Sequence, residues 1–311
     1  MVALHDTRSG SPDRTDGPNR RDFVKLAGTA LVALTIGGEA AASGGKHGKA
    51  LSPDRVGVLV DLTLCVGCRR CEWACADANG NPHGDLEDYD DGSVFAARRR
   101  PLADGYTVVN RTERSGPGGK PSFTKIQCMH CERPPCVSAC LVGAMQKTAD
   151  GPVLYDASKC IGCRYCMVAC PFERLAYEYD AHLAPRVRKC TLCAERAAEG
   201  KIPACVEMCP VEAMHYGPRD ELIAMARKRI ATHPGKYIDH VYGEYENGGT
   251  SWLYLSDRPF EELGFPVLGD RSPAETTEAI QHGIFRGARA PLGVAASLFA
   301  LNWLTKRGGG A

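Results

Sequence analysis

The sequence predicts an α+β fold built around metal-binding loops, and three observations lead to this prediction. Sixteen cysteines lie between residues 65 and 209, in four groups of four, and the rest of the chain has none. Two short apolar stretches, 55–62 and 151–156, have the composition of β-strands and come shortly before the first and third groups. Residues 219–230 carry apolar side chains at helical spacing, so helices are expected beside the strands.

The N-terminus, residues 1–42, predicts an export signal. A polar lead-in ends at a pair of arginines, 20–21, with Phe23 two places later. The apolar run 26–36 is too short to cross a bilayer but suits the core of a signal peptide, and the alanines at 40–42 suit a cleavage site. The pattern is that of a twin-arginine signal, which predicts a protein on the periplasmic side of the cytoplasmic membrane. The alternative is a basic, helix-forming N-terminus without a targeting role.

The four cysteine groups have the spacing of iron–sulfur ligands. The first and third groups share the pattern C-x2-C-x2-C-x3-C, in which three thiolates hold one cluster and the fourth reaches a neighbouring cluster. The second and fourth groups keep the outer gaps of two and three residues and have longer middle gaps. Four complete groups predict four [4Fe–4S] clusters in tandem or nested bacterial ferredoxin-like units, each binding two clusters and carrying loop insertions. The predicted ligands are Cys65, Cys68, Cys71 and Cys75; Cys128, Cys131, Cys136 and Cys140; Cys160, Cys163, Cys166 and Cys170; and Cys190, Cys193, Cys205 and Cys209.

Zinc and disulfides are the alternatives for these cysteines. Structural zinc uses two pairs of ligands, not a triplet followed by a fourth cysteine, and thiols at positions i and i+3 of a tight loop rarely reach disulfide geometry. Clusters assembled in the reducing cytoplasm also suit the twin-arginine route, which exports folded proteins. His130, inside C-M-H-C, is expected to donate a hydrogen bond near a ligand or to contact a partner, because four thiols already complete each set.

Charge and motif content exclude several functional classes. The chain has 38 basic and 37 acidic residues, so no overall field attracts nucleic acid. The run at 116–119 lacks the pattern of a dinucleotide-binding loop, and no nucleophile or acid–base pair stands out, so no catalytic residue is predicted. Lys125, Arg164 and Lys189 stand beside ligand cysteines, where a close cation raises a cluster's reduction potential, although a solvated charge is the commoner case.

The remaining segments are assigned around a four-cluster domain at 51–217. Residues 76–127 hold acidic and arginine runs and are predicted to be a polar surface insertion. A C-terminal extension covers 218–283. Its helix at 219–230 is expected to bury Leu222, Met225, Ala226 and Ile230 and to expose Arg227, Lys228 and Arg229.

The C-terminus predicts a hydrophobic anchor helix at 284–305. Residues 290–304 are apolar and uncharged, but they are fewer than the roughly 20 that a full bilayer span requires. Trp303 lies where an interfacial ring is common, and a basic pair at 306–307 follows it. A helix docked on a partner protein is the alternative to a membrane anchor.

Beyond the cysteine spacing, the chain resembles the four-cluster ferredoxin-type subunits of membrane-associated oxidoreductases. It is most similar to the HybA family, the iron–sulfur subunits of type-2 membrane-bound [NiFe] hydrogenases. The matching stretches are L-C-V-G-C at 64–68, Q-C-M-H-C at 127–131 and G-C-R-Y-C-M-V-A-C-P at 162–171. Two further stretches, Y-G-E-Y-E-N-G-G-T at 242–250 and I-Q-H-G-I-F-R-G at 280–287, favour this family over the subunits of molybdopterin enzymes.

The resemblance implies a non-catalytic electron-transfer subunit. Electrons from hydrogen, oxidised in the hydrogenase large subunit, would pass through the small subunit and this chain to an integral membrane subunit that reduces quinone. The alternatives are an iron–sulfur subunit of a formate dehydrogenase or another molybdopterin oxidoreductase, a zinc-bearing scaffold, and a soluble electron shuttle. Spacing alone does not assign each fourth cysteine, but the resemblance implies these ligand sets: Cys65, Cys68 and Cys71 with Cys209; Cys75 with Cys190, Cys193 and Cys205; Cys128, Cys131 and Cys136 with Cys170; and Cys140 with Cys160, Cys163 and Cys166.

Overall fold

The computed structural model describes residues 52–113 and 119–307. The described residues as far as Arg286 form one compact unit, and the last helix from Gly287 onward belongs to another. Helices and strands both contribute, so the predicted α+β class is confirmed. The predicted twin-arginine signal at 1–42 lies outside the described residues.

The regular elements are short, apart from two helices. The strands are β1 (Val56–Asp61), β2 (Thr107–Thr112), β3 (Ser122–Gln127), β4 (Met145–Lys147), β5 (Val153–Tyr155), β6 (Ala176–Tyr177), β7 (Val187–Arg188), β8 (Met214–Pro218) and β9 (Trp252–Leu255). The α-helices are α1 (Arg70–Ala78), α2 (Pro135–Ser138), α3 (Tyr165–Val168), α4 (Ala194–Ala198), α5 (Ala204–Glu207), α6 (Arg219–Thr232) and α7 (Pro273–Arg307). Short 3-10 helices occupy Leu86–Asp90, Gly92–Ala96, Ala157–Lys159 and Glu246–Gly248.

A three-stranded sheet brings the beginning and the end of the compact unit together. Strand β1 pairs antiparallel with β8 on one side and parallel with β9 on the other, which confirms the strand predicted at 55–62. Successive side chains of a strand point to opposite faces. Val58 and Val60 therefore enter the core that contains several of the predicted ligand cysteines, whereas Leu59 packs in a separate core with Leu222 and Ala226 of α6.

Helix α6 confirms the helix predicted at 219–230 but buries a narrower face. Leu222 and Ala226 are buried, and Ile230 is partly buried against them. Residues four apart on a helix lie on one line, and these three follow it. Met225 lies one position off that line and is 37% exposed, so its predicted burial is wrong.

The predicted exposure of Arg229 is also wrong, because a buried carboxylate holds it. Asp61, at the end of β1, is fully buried and lies 3.3 Å from Nη1 of Arg229. The same carboxylate accepts a hydrogen bond from the Tyr237 hydroxyl at 2.7 Å. Arg227 and Lys228 are exposed, as predicted. The C-terminal extension is thus tied to β1 by a charge pair between residues far apart in sequence.

The predicted polar insertion is only half correct. The part around the two 3-10 helices, residues 86–96, is largely exposed. Strands β2 and β3, however, form an antiparallel hairpin whose Val108, Val109 and Ile126 join the main core beside the cysteines. Two adjacent buried valines followed by a buried isoleucine give this hairpin an apolar content that the surrounding charges conceal.

Two small hairpins carry the middle of the chain. Strands β4 and β5 pair antiparallel, as do β6 and β7, and β5 confirms the strand predicted at 151–156. Met145, Val153, Leu175 and Val187 form a second core with the second and third cysteine groups. This core fixes the loops of those groups relative to each other.

Helix α7 confirms helical structure in the predicted anchor region and begins earlier than predicted. The hydroxyl of Ser272 accepts a hydrogen bond from the Ala274 N–H at 3.2 Å, and Pro273 occupies the first helical position, a common arrangement at helix starts. The helix has 35 residues and contains Pro291, which removes one backbone hydrogen bond. Across residues 52–113 and 119–307, no helix combines the length and the apolarity that crossing a membrane requires.

Candidate metal centres

The first and third cysteine loops follow the same backbone course. Gly67 (φ 75°) and Arg69 (φ 58°) adopt left-handed conformations in the first loop, and Gly162 (φ 71°) and Arg164 (φ 63°) do so in the third. Helices α1 and α3 begin at the next residue. At the first glycine, a Cβ would also lie only 2.3 Å from the Phe123 ring, so glycine is required by both conformation and space. Equal cysteine spacing thus gives equal loops.

Backbone N–H groups point at several of the predicted ligand sulfurs. The donors are Ala144 and Met145 to Cys140 Sγ (3.2 and 3.4 Å), Gly162 to Cys160 Sγ (3.4 Å), Leu192 to Cys190 Sγ (3.3 Å) and Ala213 to Cys209 Sγ (3.4 Å). Such donors favour the thiolate over the thiol and raise the potential of a cluster bound to it. The turns after these cysteines therefore already present hydrogen-bond donors that would stabilise an anionic cluster.

The electrostatic influences among the thiols group them into four sets, each combining cysteines from two groups. Burial raises the pKa of thiols in every set, and nearby thiols raise it further. Cys65 is affected by Cys68 and Cys209; Cys75 by Cys190, Cys193 and Cys205; Cys131 by Cys128 and Cys170; and Cys166 by Cys140, Cys160 and Cys163. Two thiols are also affected from a neighbouring set, Cys71 by Cys205 and Cys190 by Cys128. The family resemblance implies the same sets. That each set holds one cluster stays a prediction.

The chemistry of these thiols fits a metal–sulfur cluster. Burial raises the pKa of Cys65 to about 11 and that of Cys190 to about 12, so neither ionises at neutral pH without a cation beside it. Bound iron would supply that cation. The sixteen cysteines form no disulfides, and within the described ranges no three His, Cys, Asp or Glu side chains converge on a position for a single metal ion. A four-iron cluster binds each thiolate at a different iron, which suits ligands arranged around a larger body.

The first set also lines a space for such a group. An open depression has the thiols of Cys65, Cys68, Cys71 and Cys209 in its wall. Apolar side chains, among them Val60 and Met214, make up much of the rest, and Lys125 is part of the wall. Four thiols, an apolar lining and one ammonium together suit a compact anionic inorganic group.

His130 lies between two ligands of the second group and is fully buried, so the predicted partner contact is wrong. Its Nδ1 accepts a hydrogen bond from the Val153 N–H at 2.9 Å, which leaves the proton on Nε2. Burial, and then Lys189 and Lys147, hold the pKa of this imidazole well below its usual range, so it is neutral. Nε2 is buried and has no hydrogen-bond partner among the described residues. The ring thus connects the loop of the second cysteine group to β5.

The structure corrects the interpretation of two of the three cations. Lys125 and Lys189 are buried, so neither is a solvated charge. Lys189 donates to the carbonyl oxygens of Val153 and, at 3.0 Å, of Cys190. Arg164 is exposed, and its guanidinium lies 5.6 Å from the centre of the Tyr177 ring. Proximity in sequence to a cysteine therefore does not distinguish a structural cation from a surface one.

Sequence reasoning missed Glu72, which holds the first cysteine loop against the β2–β3 hairpin. This carboxylate is buried on α1, directly after Cys71. It accepts hydrogen bonds from the Val109 N–H at 2.6 Å and from the Arg99 guanidinium at 2.6 and 3.0 Å. Arg69 lies 3.4 Å away on its own loop. No local pattern marks this glutamate, because its main partners follow 27 and 37 residues later.

Replacing Glu72 by glutamine is expected to destabilise the iron-loaded protein by about 3 kcal/mol, the lower end for breaking a buried ion pair. The change removes the anion between Arg69 and Arg99 while keeping the volume of the side chain. Thermal unfolding of the anaerobic protein, followed by circular dichroism, measures the effect. Glu87→Gln, at an exposed position, is the control. Equal unfolding midpoints for the two variants would contradict the role assigned to the buried carboxylate.

Comparison with known proteins places these features among iron–sulfur proteins. Two family models match, both described as a 4Fe-4S dicluster domain, at residues 64–144 and 120–219, which include all sixteen cysteines. A protein of Nitratidesulfovibrio vulgaris (strain Hildenborough) is 47% identical over 261 residues, covering 83% of this chain and 70% of that protein. The hydrogenase-2 operon protein HybA of Escherichia coli O157:H7 is 36% identical over 312 residues, covering 91% and 94%. The iron–sulfur subunit of the nitrate-inducible formate dehydrogenase of Escherichia coli K12 is 34% identical over 258 residues, covering 77% and 80%.

Proposed function

The chain belongs to the HybA family of iron–sulfur electron-transfer subunits, and we propose that it carries electrons from a hydrogen-oxidising [NiFe] module to an integral membrane subunit that reduces quinone. The hydrogenase large and small subunits are its partners on one side, and the quinone-reducing subunit is its partner on the other. Four [4Fe–4S] clusters, one in each thiol set, form the path and supply one-electron chemistry when bound. The protein's own residues bury them and set their charge environment.

The observation that carries this proposal is the interlocking of thiols from separate cysteine groups. Cys71 and Cys75 both lie on α1. Cys71 lines the depression with Cys65, Cys68 and Cys209, whereas the thiols that raise the pKa of Cys75 are Cys190, Cys205 and Cys193. Four residues of α-helix rise about 6 Å, so this helix holds two sets at a short and rigid separation. Cys166 and Cys170 repeat the arrangement at the end of α3. A series of closely spaced cluster sites suits electron transfer better than storage or structure.

The C-terminal extension supports the hydrogenase assignment over the second candidate. Its stretch at 242–250, which carries the resemblance, packs on the second cysteine group: Thr250 forms a bridge with Cys131, and the Glu132 N–H donates to the Gly249 carbonyl at 2.9 Å. The HybA relative aligns over 91% of this chain, whereas the formate dehydrogenase subunit aligns over 77%. The second candidate is an iron–sulfur subunit of formate dehydrogenase or another molybdopterin oxidoreductase. The 34% identity to the formate dehydrogenase subunit supports it.

The location is part of the same proposal. The twin arginines and the apolar run near the N-terminus support export by the twin-arginine route to the periplasmic side of the cytoplasmic membrane. Helix α7 would attach the subunit at that membrane, and exposed apolar side chains, among them Leu292, Val294 and Leu298, support this.

Metal analysis of the complex, purified without oxygen, is expected to give about sixteen iron atoms and as many acid-labile sulfides for each copy of this chain, in addition to those of the hydrogenase subunits. Nickel in the same preparation supports the hydrogenase module, and reduction of the clusters by hydrogen gas supports the direction of the path. Molybdenum in place of nickel would establish the second candidate. Zinc without sulfide would exclude electron transfer altogether.

A further inference from the structure

Lys125 is a buried cation whose direct partners are neutral. It lies on β3, is 2% exposed, and donates hydrogen bonds to Thr107 Oγ1 at 2.9 Å and Gln127 Oε1 at 2.8 Å. Both oxygens act as acceptors here, because the Thr107 hydroxyl donates to the Ile126 carbonyl and an amide oxygen carries no proton. The ammonium also lies 4.4 Å from the centre of the Trp252 ring, a contact that favours a positive charge.

A buried ammonium of this kind needs an anion near it. Taking a cation out of water costs several kcal/mol unless an opposite charge compensates. In the described part of the chain, no carboxylate forms an ion pair with Lys125. Lys125 lies in the wall of the depression that Cys65, Cys68, Cys71 and Cys209 line. A cluster bound by these thiolates would therefore be the compensating anion.

The position of Lys125 relates it to two of the four thiol sets. It lines the same depression as the first set, Cys65, Cys68, Cys71 and Cys209. The second set begins one helical turn away, because Cys75 follows Cys71 on α1. Lys125 is also among the charges that lower the pKa of the second-set thiols Cys75, Cys190 and Cys193 against the effect of burial. The third set has other cations, since Lys147 acts on Cys131 and Lys189 acts on Cys136. None of the main influences on Cys166, in the fourth set, is a cation.

We propose that the buried positive charge of Lys125 acts on the clusters of both the first and the second set and raises the reduction potentials of both. Each reduction adds one electron, and hence one negative charge, beside a fixed buried cation, and no bond or proton changes place. Charge interactions are stronger in a buried site than in water, so the reduced state gains more from Lys125 than the oxidised state does. The inference rests on the proposed function only in requiring that clusters occupy these sets.

Anaerobic potentiometric titrations of the purified complex, followed by electron paramagnetic resonance, test the inference. Lys125→Met removes the charge and keeps the apolar stem, and Lys125→Arg keeps the charge. Lys120→Met removes an exposed lysine two residues before β3 and is the matched control. In Lys125→Met we expect the reduction potentials of two of the four signals to become more negative. The equilibrium constant for reduction of each of these two clusters should fall at least tenfold, which is a shift of about 59 mV for a one-electron couple. The other two signals, and all four in both other variants, are expected to keep wild-type potentials.

Several outcomes would overturn the inference. The inference is contradicted if the potentials of Lys125→Met are unchanged or if all four signals shift equally. It is also contradicted if Lys125→Arg shows the same shifts as Lys125→Met. If Lys125→Met assembles no clusters, Lys125→Gln is titrated by the same criteria. If neither neutral variant retains the first two clusters but Lys125→Arg retains all four, the role of the charge is supported. If Lys125→Arg also fails to retain them, that role is overturned. A wild-type complex without four reducible clusters would defeat the proposed function itself, whereas four clusters with unaltered potentials defeat only this inference.

Discussion

Replacing Cys170 by serine is expected to remove or alter one cluster signal, and replacing Cys163 is expected to remove or alter a different one. Both cysteines belong to the third group and lie seven residues apart. Burial raises the pKa of Cys170, and Cys128 of the second group is the thiol that raises it further. Cys163, in contrast, acts on Cys166 together with Cys140 and Cys160. The two substitutions therefore affect two neighbouring clusters, each of which accounts for about four iron atoms.

Electron paramagnetic resonance of the reduced complex, with iron analysis of the same samples, measures this result. Met167→Leu, on the helix between the two cysteines, is the control for packing changes and is expected to keep all four signals. Loss of the same signal in both cysteine variants would contradict the ligand sets, because one cluster would then take two ligands from the end and the middle of a single group. The test separates interlocked sets from four independent ones, which spacing alone does not do.

What the sequence predicted well depends on local patterns. The C-x2-C-x2-C spacing requires a tight loop, and the loops at Gly67 and Gly162 have the same backbone course in the structure. The strands predicted at 55–62 and 151–156 and the helix at 219–230 are also present, because their periodicity is contained within a few residues. Each of these features needs no distant partner to be recognised.

The features that the sequence did not reveal depend on distant partners. Lys125 lies in the strand S-F-T-K-I-Q, whose mixed polarity is typical of a half-exposed strand. The face of the strand that carries Lys125 is covered by Trp252, which the local sequence does not show. Arg229 follows two exposed basic residues and differs from them because Asp61 lies beside it. In both cases the contact that decides the position of a charged side chain comes from an element more than a hundred residues away, and the hydrophobic pattern of the local sequence does not show it.

The loop at Gly67 gives the second large expected effect: Gly67→Ala is expected to lose the first cluster. The residue has φ 75°, a conformation that costs a non-glycine residue on the order of 1 kcal/mol, and its new Cβ would lie 2.3 Å from the Phe123 ring. Its N–H also bonds to Cys65, where it lowers the pKa against the effect of burial. Moving the backbone to relieve the clash therefore displaces a loop of predicted ligands, and iron should fall by about four atoms for each copy of this chain, with one resonance signal absent.

Gly80 offers a control that isolates the steric part of this effect. It also has a left-handed conformation, φ 61°, but a Cβ there would meet nothing within 4 Å. Gly80→Ala should therefore keep its iron and lose only the order of 1 kcal/mol in stability that the backbone conformation costs. The double variant Gly67→Ala, Phe123→Ala removes the ring that the Cβ meets and is expected to recover iron relative to the single variant. If Gly67→Ala binds as much iron as Gly80→Ala, the close approach of the Phe123 ring to the loop is not what maintains the first site.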